Sequence, residues 1–321
     1  MSDVLMKVEN LNKVFKIKSK KLFEPPKDLK AVSDVSFELF KGETLGIIGE
    51  SGSGKSTLGK CIVRITDPTS GKVTYNNKSL LDLSKKELKE MRKEIQVVFQ
   101  DPYSALDPRK TVGYQVEEPL IIFNEGNDKE RKDRVRELFE LVGLNEGHMI
   151  RYPHEFSGGQ RQRICIARAL ALNPKVIVAD EPVSALDVSV QAQVINLMKD
   201  IQKKLNLTYI FISHDLSVVK YISDRIGIMY LGRILEIGDA EKIYDNPMHP
   251  YTQTLFSAIP PESPFEVKEI LQLKGEIPSP MNLPKGCVFA SRCPKANEKC
   301  RNTLPELKEI SEKHKVACLL Y

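Results

Sequence analysis

The sequence has no tryptophan, few aromatic residues and no long apolar run. Phe, Trp and Tyr together make up 7% of its 321 residues. No stretch approaches the roughly 18 apolar residues that a membrane-spanning helix needs. The N-terminal segment MSDVLMKVEN also lacks the apolar core of a secretory signal peptide. We therefore expect a cytosolic protein whose thiols stay reduced.

A strong charge of one sign is also missing. Lys and Arg number 48 against 43 Asp and Glu, which gives a net charge of +5. Because the sequence shows no concentrated basic stripe, we expect no nucleic-acid partner. The length allows a large hydrophobic core and two or more subdomains.

Two kinds of strand pattern are present. Residues 5–16 and 31–39 partly alternate apolar with polar residues, which is typical of half-buried strands. Short apolar runs at 44–49, 175–180 and 208–215 indicate buried strands, and helical patterns separate them. Short apolar strands that alternate with helices predict a mostly parallel α/β sheet.

Helix and loop signals lie between these strands. Ser84 and Glu87 have the spacing of a capping box, and residues 128–142 place apolar side chains at helical spacing. The helical pattern that begins at Gly158 ends before Asn173-Pro174. The Lys-rich stretch KIKSKKLFEPPKDLK (16–30) favours a loop because of its turn residues. Docking onto an acidic partner or a membrane surface is the alternative for it.

The segment GESGSGKST (49–57) matches the phosphate-loop pattern G-x-x-x-x-G-K-[ST] between a strand and a helix. Its glycines let backbone N–H groups point inward at phosphate oxygens. Lys55 can reach the β- and γ-phosphates, and the Ser56 hydroxyl can bind Mg²⁺. The predicted ATP-binding residues of the loop are Gly49, Glu50, Ser51, Gly52, Ser53, Gly54, Lys55, Ser56 and Thr57.

The segment KVIVADEP (175–182) predicts a second half of the nucleotide site. Its apolar strand ends in Asp180, at the edge of an α/β sheet where ligands bind. Asp180 is predicted to hold the Mg²⁺ shell, and Glu181 is placed to activate a water for attack on the γ-phosphate.

The segment FSGGQRQR (156–163) resembles the signature of ATP-binding-cassette (ABC) ATPases. The other landmarks of that superfamily stand in the right order. Gln100 in VVFQDP resembles the Q-loop, SALD (184–187) the D-loop, and His214 in ISHD the switch histidine. Phe15 resembles the aromatic residue that stacks on adenine.

The resemblance implies the fold and its division into domains. It implies an α/β P-loop NTPase with a RecA-like core, an N-terminal antiparallel β subdomain, a helical signature subdomain and a small Cys-containing C-terminal extension. The ABC nucleotide-binding domain would cover 1–240, with the helical subdomain at about 101–165. The extension would cover 241–321.

The resemblance also implies roles for the residues of these motifs. Two chains would sandwich two ATP molecules, and the signature of one chain would grip the γ-phosphate that is bound to the other. Gln100 would bind Mg²⁺, sense that phosphate and relay the change to a membrane partner. His214 would touch the γ-phosphate and help to position the attacking water. The residues implied for the signature and the D-loop are Ser157, Gly158, Gly159, Gln160 and Asp187.

Three further stretches, at 151–164, 180–197 and 246–260, resemble the ATPases of oligopeptide/dipeptide importers. Such importers commonly pair two different ATPases, and the segment PVSALDVS is similar to the corresponding segment of the second, F-type subunit. The implied partners are a non-identical D-type ATPase, two membrane permeases and an extracytoplasmic peptide-binding protein, with the chain peripheral to the cytoplasmic face of the cell membrane. Related importers of nickel or oligosaccharides are the alternative, and a soluble ABC ATPase without a transport role is a further one.

Four of the six cysteines lie in the extension: Cys287, Cys293, Cys300 and Cys318. Their spacing, C-x5-C-x6-C-x17-C, has none of the C-x2-C pairs that structural zinc sites usually show. Four thiolates can hold an iron–sulfur cluster instead, and the tail GCVFASRCP resembles that of peptide-importer ATPases, some of which carry a [4Fe–4S] cluster. A cluster is favoured, while zinc and metal-free thiols remain open. Cys61 and Cys165 fall in helical patterns and are predicted to be small core residues.

Overall fold

The computed structural model describes residues 3–18, 26–259 and 275–321. Its contacts divide the chain into two compact units. The first consists of Met1–Phe40, Thr44–Asp82 and Ser213–Tyr321, and the second of Lys41–Glu43 and Leu83–Ile212. In the described ranges, none of the helices combines the length and the apolar character needed to cross a membrane.

The strands of the described residues follow one another along the chain as β1 (Val4–Ile17), β2 (Lys27–Phe40), β3 (Thr44–Ile48), β4 (Ser70–Tyr75), β5 (Lys78–Ser79), β6 (Ile95–Val98), β7 (Val176–Asp180), β8 (Thr208–Ile212), β9 (Arg225–Tyr230), β10 (Arg233–Asp239), β11 (Lys308–Ser311) and β12 (His314–Val316). The strands predicted around residues 5–16, 31–39, 44–49, 175–180 and 208–215 are therefore confirmed.

The helices are α1 (Lys55–Ile62), α2 (Lys85–Glu94), α3 (Pro102–Ala105), α4 (Val112–Ile122), α5 (Asp128–Leu141), α6 (Gly158–Leu170), α7 (Val188–Leu205), α8 (Leu216–Ile222), α9 (Ala240–Asp245), α10 (Pro250–Ser257) and α11 (Glu298–Asn302), with 3-10 turns at Glu146–His148 and Pro153–Glu155. The predicted capping box at the start of α2 is confirmed, because the Ser84 hydroxyl accepts from the Glu87 N–H and the Glu87 carboxylate accepts from the Ser84 N–H.

The first unit begins with an antiparallel sheet of order β2-β1-β4-β5. In the long β1–β2 hairpin, Val4 pairs with Phe40 and Ile17 pairs with Lys27. The strands thus extend into both ends of the Lys-rich stretch 16–30, where the sequence analysis predicted only a loop. The middle of that stretch, 19–25, lies outside the described residues.

The second sheet of the first unit runs β11-β12-β10-β9-β3. Strands β3 and β9 are parallel, with Ile47 opposite Gly227, and β10 is antiparallel to β9. Strand β12 pairs with β10, with Glu236 opposite Val316. The hairpin β11–β12 near the C-terminus therefore adds two antiparallel strands to the sheet that carries the phosphate loop.

The second unit contains the parallel strands β6, β7 and β8. Strands β7 and β8 are buried over their whole length, as the continuous apolar runs predicted for a sheet covered on both faces. Val178 of β7 lies between Val97 of β6 and Ile210 of β8. This parallel arrangement confirms the predicted α/β sheet and places the end of β7, with Asp180, at the carboxyl edge.

Two cysteines belong to the core, as predicted. Cys61 in α1 is fully buried and Cys165 in α6 is 3% exposed. Burial raises the pKa of each thiol to about 11, because the apolar surroundings disfavour the thiolate. Both are therefore neutral thiols that act as small apolar side chains.

Candidate nucleotide site and cysteine cluster

The phosphate loop connects β3 to α1 and depends on glycine at two close approaches. Gly49 and Gly54 have φ angles of 155° and 100°. A Cβ atom on Gly49 would lie 2.0 Å from the Met229 carbonyl oxygen, and one on Gly54 would lie 2.0 Å from the Ala31 carbonyl oxygen. The loop is thus packed against the backbone of its neighbours, which holds its conformation.

The Lys55 side chain lies inside this loop. Its ammonium group donates hydrogen bonds to the carbonyl oxygens of Gly49, at 2.7 Å, and Glu50, at 3.1 Å. The residue is 5% exposed and stands at the start of α1. A helix N-terminus and a buried ammonium group in one loop make a strong anion site. The loop can therefore hold the phosphates that the motif predicts.

Two residues far along the chain hold Glu50, the second residue of the loop. The Tyr251 hydroxyl accepts a hydrogen bond from the Glu50 N–H at 3.0 Å. The Glu50 carboxylate accepts from Arg292 Nη1 at 3.2 and 2.9 Å. Neither contact is predictable from the sequence, because each partner lies more than 200 positions from Glu50.

The predicted Mg²⁺-binding and water-activating carboxylates lie at the end of β7 in the second unit. Asp180 is 6% exposed at the end of the strand. Glu181 has a φ angle of 48°, unusual for a residue with a Cβ atom, and its N–H donates to the Ile212 carbonyl oxygen at 2.9 Å. Gln100 Nε2 donates to Glu181 Oε2 at 2.9 Å. The structure thus joins two of the predicted catalytic residues directly.

The signature segment begins α6 with a capping box. The Ser157 hydroxyl accepts from the Gln160 N–H at 3.3 Å, and Gln160 Oε1 accepts from the Ser157 N–H at 3.0 Å. The first-turn N–H groups of Gly158 and Gly159 precede the hydrogen bonds within the helix. A Cβ atom on Gly159 would lie 2.3 Å from a methyl carbon of Val190. The motif thus combines a tight helix contact with a start suited to an anion.

Asp187 of the D-loop caps α7. Its carboxylate accepts from the Ser189 hydroxyl at 2.7 Å and from the Val190 N–H at 3.0 Å. These hydrogen bonds, that of Ser189 first, lower the pKa of Asp187. The residue is therefore an anion that fixes the beginning of the helix next to the signature.

The remaining two nucleotide-site candidates are exposed residues of the first unit. Phe15 in β1 is 39% exposed, and the Lys13 ammonium lies 4.8 Å from the centre of its ring. His214 lies two residues after the end of β8 and is exposed. The next residue, Asp215, caps α8 by accepting from the Ser217 and Val218 N–H groups. Both aromatic rings are therefore accessible to a ligand.

The four cysteines of the extension line one pocket, together with His249, Phe289 and Lys295. Burial, with a smaller contribution from the charges of the other three cysteines, raises the pKa of the Cys287 thiol to about 11. Burial also raises the pKa of Cys293 and Cys318. The folded chain therefore brings together four thiols that the sequence spreads over 32 positions, from 287 to 318.

A single metal ion is a poor match for this pocket. Within residues 3–18, 26–259 and 275–321, no three His, Cys, Asp or Glu side chains converge closely enough to hold one ion. In a four-iron cluster each sulfur binds a different iron, so the sulfurs need not meet at one point. Four cysteine thiols are a donor set that iron–sulfur clusters use, but the described residues do not show the predicted [4Fe–4S] cluster.

The HPYT stretch has a structural explanation beside this pocket. Burial lowers the pKa of His249 to about 4, so its ring is neutral and Nδ1 accepts from the Tyr251 N–H at 3.0 Å, which caps α10. The fully buried Glu236 carboxylate accepts from the N–H groups of Met248 and His249 and contacts His314 Nε2 at 2.8 Å. These bonds place Tyr251 where its hydroxyl meets the phosphate loop.

Comparison with known sequences agrees with this geometry. The ABC transporter family profile matches residues 32–184. The profile described as "Oligopeptide/dipeptide transporter, C-terminal region" matches residues 235–300. The oligopeptide transport ATP-binding protein AppF of Bacillus subtilis (strain 168) is 53% identical over 99% of this chain and 98% of its own length.

The chain belongs to the ABC transporter ATPase family. The dipeptide transport ATP-binding protein DppF of Haemophilus influenzae (strain ATCC 51907 / DSM 11121 / KW20 / Rd) is 52% identical over 98% of this chain and 96% of its own length. As an ABC ATPase the chain hydrolyses ATP, for which Mg²⁺ is the expected cofactor.

Solved structures confirm the cassette fold. The dimeric ATP-binding cassette MJ0796, in a post-hydrolysis state bound to ADP and Pi, is 33% identical with a TM-score of 0.65 and covers 74% of this chain and 99% of its own. CbiO1 of Clostridium perfringens is 29% identical with a TM-score of 0.66 and covers 76% of this chain and 92% of its own. The predicted fold class, an ABC-type P-loop NTPase with mixed α/β sheets, is confirmed.

Proposed function

We propose that this ABC ATPase is the subunit of an importer that couples ATP hydrolysis to the uptake of di- or oligopeptides. The observation that supports this most is the 53% sequence identity with AppF over 99% of this chain. The aligned part includes the C-terminal region matched over residues 235–300. That region packs its Tyr251 and Arg292 onto the phosphate loop. We propose that residues 1–240 act as the nucleotide-binding domain and residues 241–321 as its extension.

The proposed chemistry follows from the side chains. Lys55 and the N–H groups of the phosphate loop bind the β- and γ-phosphates, and Phe15 stacks on adenine. Ser56, Asp180 and Gln100 hold the Mg²⁺ ion, which would neutralise charge on the transferred phosphoryl group. Asp180 suits this role because it is a buried carboxylate at the carboxyl edge of parallel strands.

Glu181 is proposed as the general base that takes a proton from the attacking water. Its carboxylate accepts from Gln100 Nε2 at 2.9 Å, which fixes its orientation. His214, exposed after β8, would position the same water and contact the γ-phosphate. Their joint role is orientation and charge stabilisation, which supply most of the catalysis in phosphoryl transfer.

The signature and D-loop residues are proposed to act on a partner ATPase. In an opposed pair, the N–H groups at the start of α6 would face the γ-phosphate held by the other chain. The residues assigned to this contact are Ser157, Gly158, Gly159, Gln160 and Asp187. We propose a non-identical D-type ATPase as that partner, since the segment PVSALDVS is similar to the corresponding segment of F-type subunits.

The proposed assembly places the chain on the cytoplasmic face of the cell membrane, beneath two permease subunits. An extracytoplasmic binding protein would deliver the peptide. Purification of the tagged chain from gently solubilised membranes tests this: we expect two permeases and a second ATPase to co-purify. A deletion strain should then lose uptake of labelled di- or oligopeptides and regain it with the intact chain.

Other outcomes would redirect the proposal. Normal peptide uptake with lost nickel or oligosaccharide uptake would assign the chain to a related importer. Recovery of the chain on ribosomes or nucleic acid, without permeases, would assign it to the ABC ATPases that act outside transport. Either result would overturn the peptide-import function while it left the ATPase assignment intact.

We also propose that the four cysteines of the extension hold a [4Fe–4S] cluster. The support is their common pocket and a donor set of four thiols, which suits iron–sulfur ligation. When bound, the cluster would cross-link a Pro-rich segment that has few regular elements of its own. Cys287 and Cys300 are buried, and the Cys287 N–H donates to the Cys300 carbonyl oxygen at 2.8 Å, so the backbone already holds this pair together.

Anaerobic purification with iron and sulfide analysis tests the cluster. We expect about four irons and four sulfides per chain and broad visible absorption near 400 nm. Cys300→Ser should lose most of the iron, whereas Cys165→Ala, which removes a core thiol outside the pocket, should retain it. A zinc-only or metal-free chain after anaerobic purification would contradict the cluster.

A further inference from the structure

The carboxylate of Glu50 is a negative charge within a loop that binds phosphates. Arg292 Nη1 lies 3.2 and 2.9 Å from its two oxygens. The Glu50 side chain is 22% exposed and the Arg292 side chain is 8% exposed, so water screens this pair less than a surface ion pair. Arg292 therefore neutralises a charge that would otherwise repel the phosphates of a bound nucleotide.

The backbone of Glu50 is held independently. Its N–H donates to the Tyr251 hydroxyl at 3.0 Å, and its carbonyl oxygen accepts from the Lys55 ammonium at 3.1 Å. Tyr251 is fully buried. A shift of Glu50 would therefore move a hydrogen-bond partner of the lysine that is assigned to the phosphates.

Tyr251 belongs to a cluster of packed aromatic rings, and Arg292 contacts the same cluster. The rings of Tyr230 and Tyr251 lie 4.7 Å apart, and Phe289 lies 5.5 and 5.3 Å from them. The Tyr230 hydroxyl accepts from Arg292 Nη1 at 3.3 Å. Because ring packing limits the movement of both side chains, Arg292 and Tyr251 meet the loop in a preset position.

We infer that Arg292 and Tyr251 of the C-terminal extension are positioning residues for ATP binding: Arg292 cancels the charge of Glu50, and Tyr251 fixes its backbone. The extension thus completes the phosphate loop of its own chain. This inference depends only on ATP binding, so it stands or falls separately from the transported solute and the permeases.

The test compares ATP affinity among variants of the purified full-length chain. Arg292→Gln leaves Glu50 unneutralised, and we expect ATP affinity to fall about tenfold. The addition of Glu50→Gln removes the uncompensated charge and should restore most of the affinity. Arg292→Lys keeps the positive charge and should stay within about threefold of the original chain. Tyr251→Phe removes only the hydroxyl and should weaken ATP binding about threefold.

Matched controls separate positioning from general stability. Arg301→Gln removes an exposed arginine of the same segment and should leave ATP affinity unchanged. KM for ATP should rise in Arg292→Gln while kcat changes little, since the proposed base and its Gln100 partner are untouched. Rescue by Glu50→Gln distinguishes charge neutralisation from a purely structural contact, which a second substitution would not repair.

The outcomes are decisive in both directions. A loss in Arg292→Gln that Glu50→Gln rescues supports the inference. Unchanged affinity in Arg292→Gln, or a loss that the second substitution does not rescue, overturns it. If Arg292→Gln fails to fold, the other two variants decide instead. A roughly tenfold loss of ATP affinity in Arg292→Lys overturns the charge role of Arg292, and tighter or unchanged ATP binding in Tyr251→Phe overturns the positioning role of the hydroxyl.

Discussion

Replacement of Glu181 by Gln is expected to abolish ATP turnover while ATP binding is retained. Gln has the same shape, and its amide oxygen can still accept the hydrogen bond that Gln100 Nε2 donates to Glu181 Oε2 at 2.9 Å. What is lost is the ability to take a proton from water. A general base contributes roughly 10²- to 10⁴-fold to the rate, so kcat should fall by at least about 100-fold.

In the proposed pair with a second ATPase, the same substitution should trap an ATP-bound closed dimer, because the γ-phosphate that would clamp the two chains is not removed. Steady-state ATPase assays, ATP-binding titrations and size-exclusion chromatography with ATP together measure this. Glu312→Gln, which alters an exposed carboxylate in the turn between β11 and β12, is the matched control and should remain active. Unchanged turnover in Glu181→Gln would show that another group activates the water.

Replacement of Gly54 by Ala should damage the phosphate loop far more than replacement of Gly52. A Cβ atom on Gly54 would lie 2.0 Å from the Ala31 carbonyl oxygen, whereas the space within 4 Å of a Cβ atom on Gly52 is open. Both glycines have positive φ, 100° and 77°, so both substitutions carry backbone strain. Only Gly54→Ala adds a collision with backbone, which cannot be relieved by a side-chain rotation.

The two glycine variants should differ in how far they lower the stability of the folded chain. Strain and overpacking together cost about 2–5 kcal/mol for Gly54→Ala, against about 1–2 kcal/mol for the left-handed alanine of Gly52→Ala. Thermal unfolding and ATP titration should show a drop of several degrees in Tm and strongly weakened ATP binding in Gly54→Ala, with smaller losses in Gly52→Ala. Equal losses in both variants would mean that the contact with Ala31 does not hold the loop.

The nucleotide motifs and most regular elements were predictable because their signals are local. The pattern of Gly49, Gly54 and Lys55 concerns neighbours in sequence, and its geometry follows from positive φ and a helix start. The buried strand β7 and the capping box of Ser84 are likewise set within a few residues. The superfamily could be predicted from the order of such local motifs.

Hairpin ends and long-range contacts were not predictable in the same way. The pairing of Ile17 with Lys27 joins two strands across a Lys-rich segment with two prolines. Those residue types are typical of a loop, so the sequence of the segment does not predict that the strands extend into it. The bond between Gln100 and Glu181 spans 81 positions. Each residue belongs to a local motif, but neither motif contains information about the contact between them.

By itself the sequence determined the phosphate loop, the alternation of strands and helices, and the presence of four cysteines near the C-terminus, since each depends on residue type and short spacing. Only the tertiary structure decided that those cysteines share one pocket. It alone decided that Arg292 and Tyr251 hold Glu50. The physical reason is that packing of the extension onto strands β9 and β10 brings together side chains more than 200 residues apart, and no local pattern records that packing.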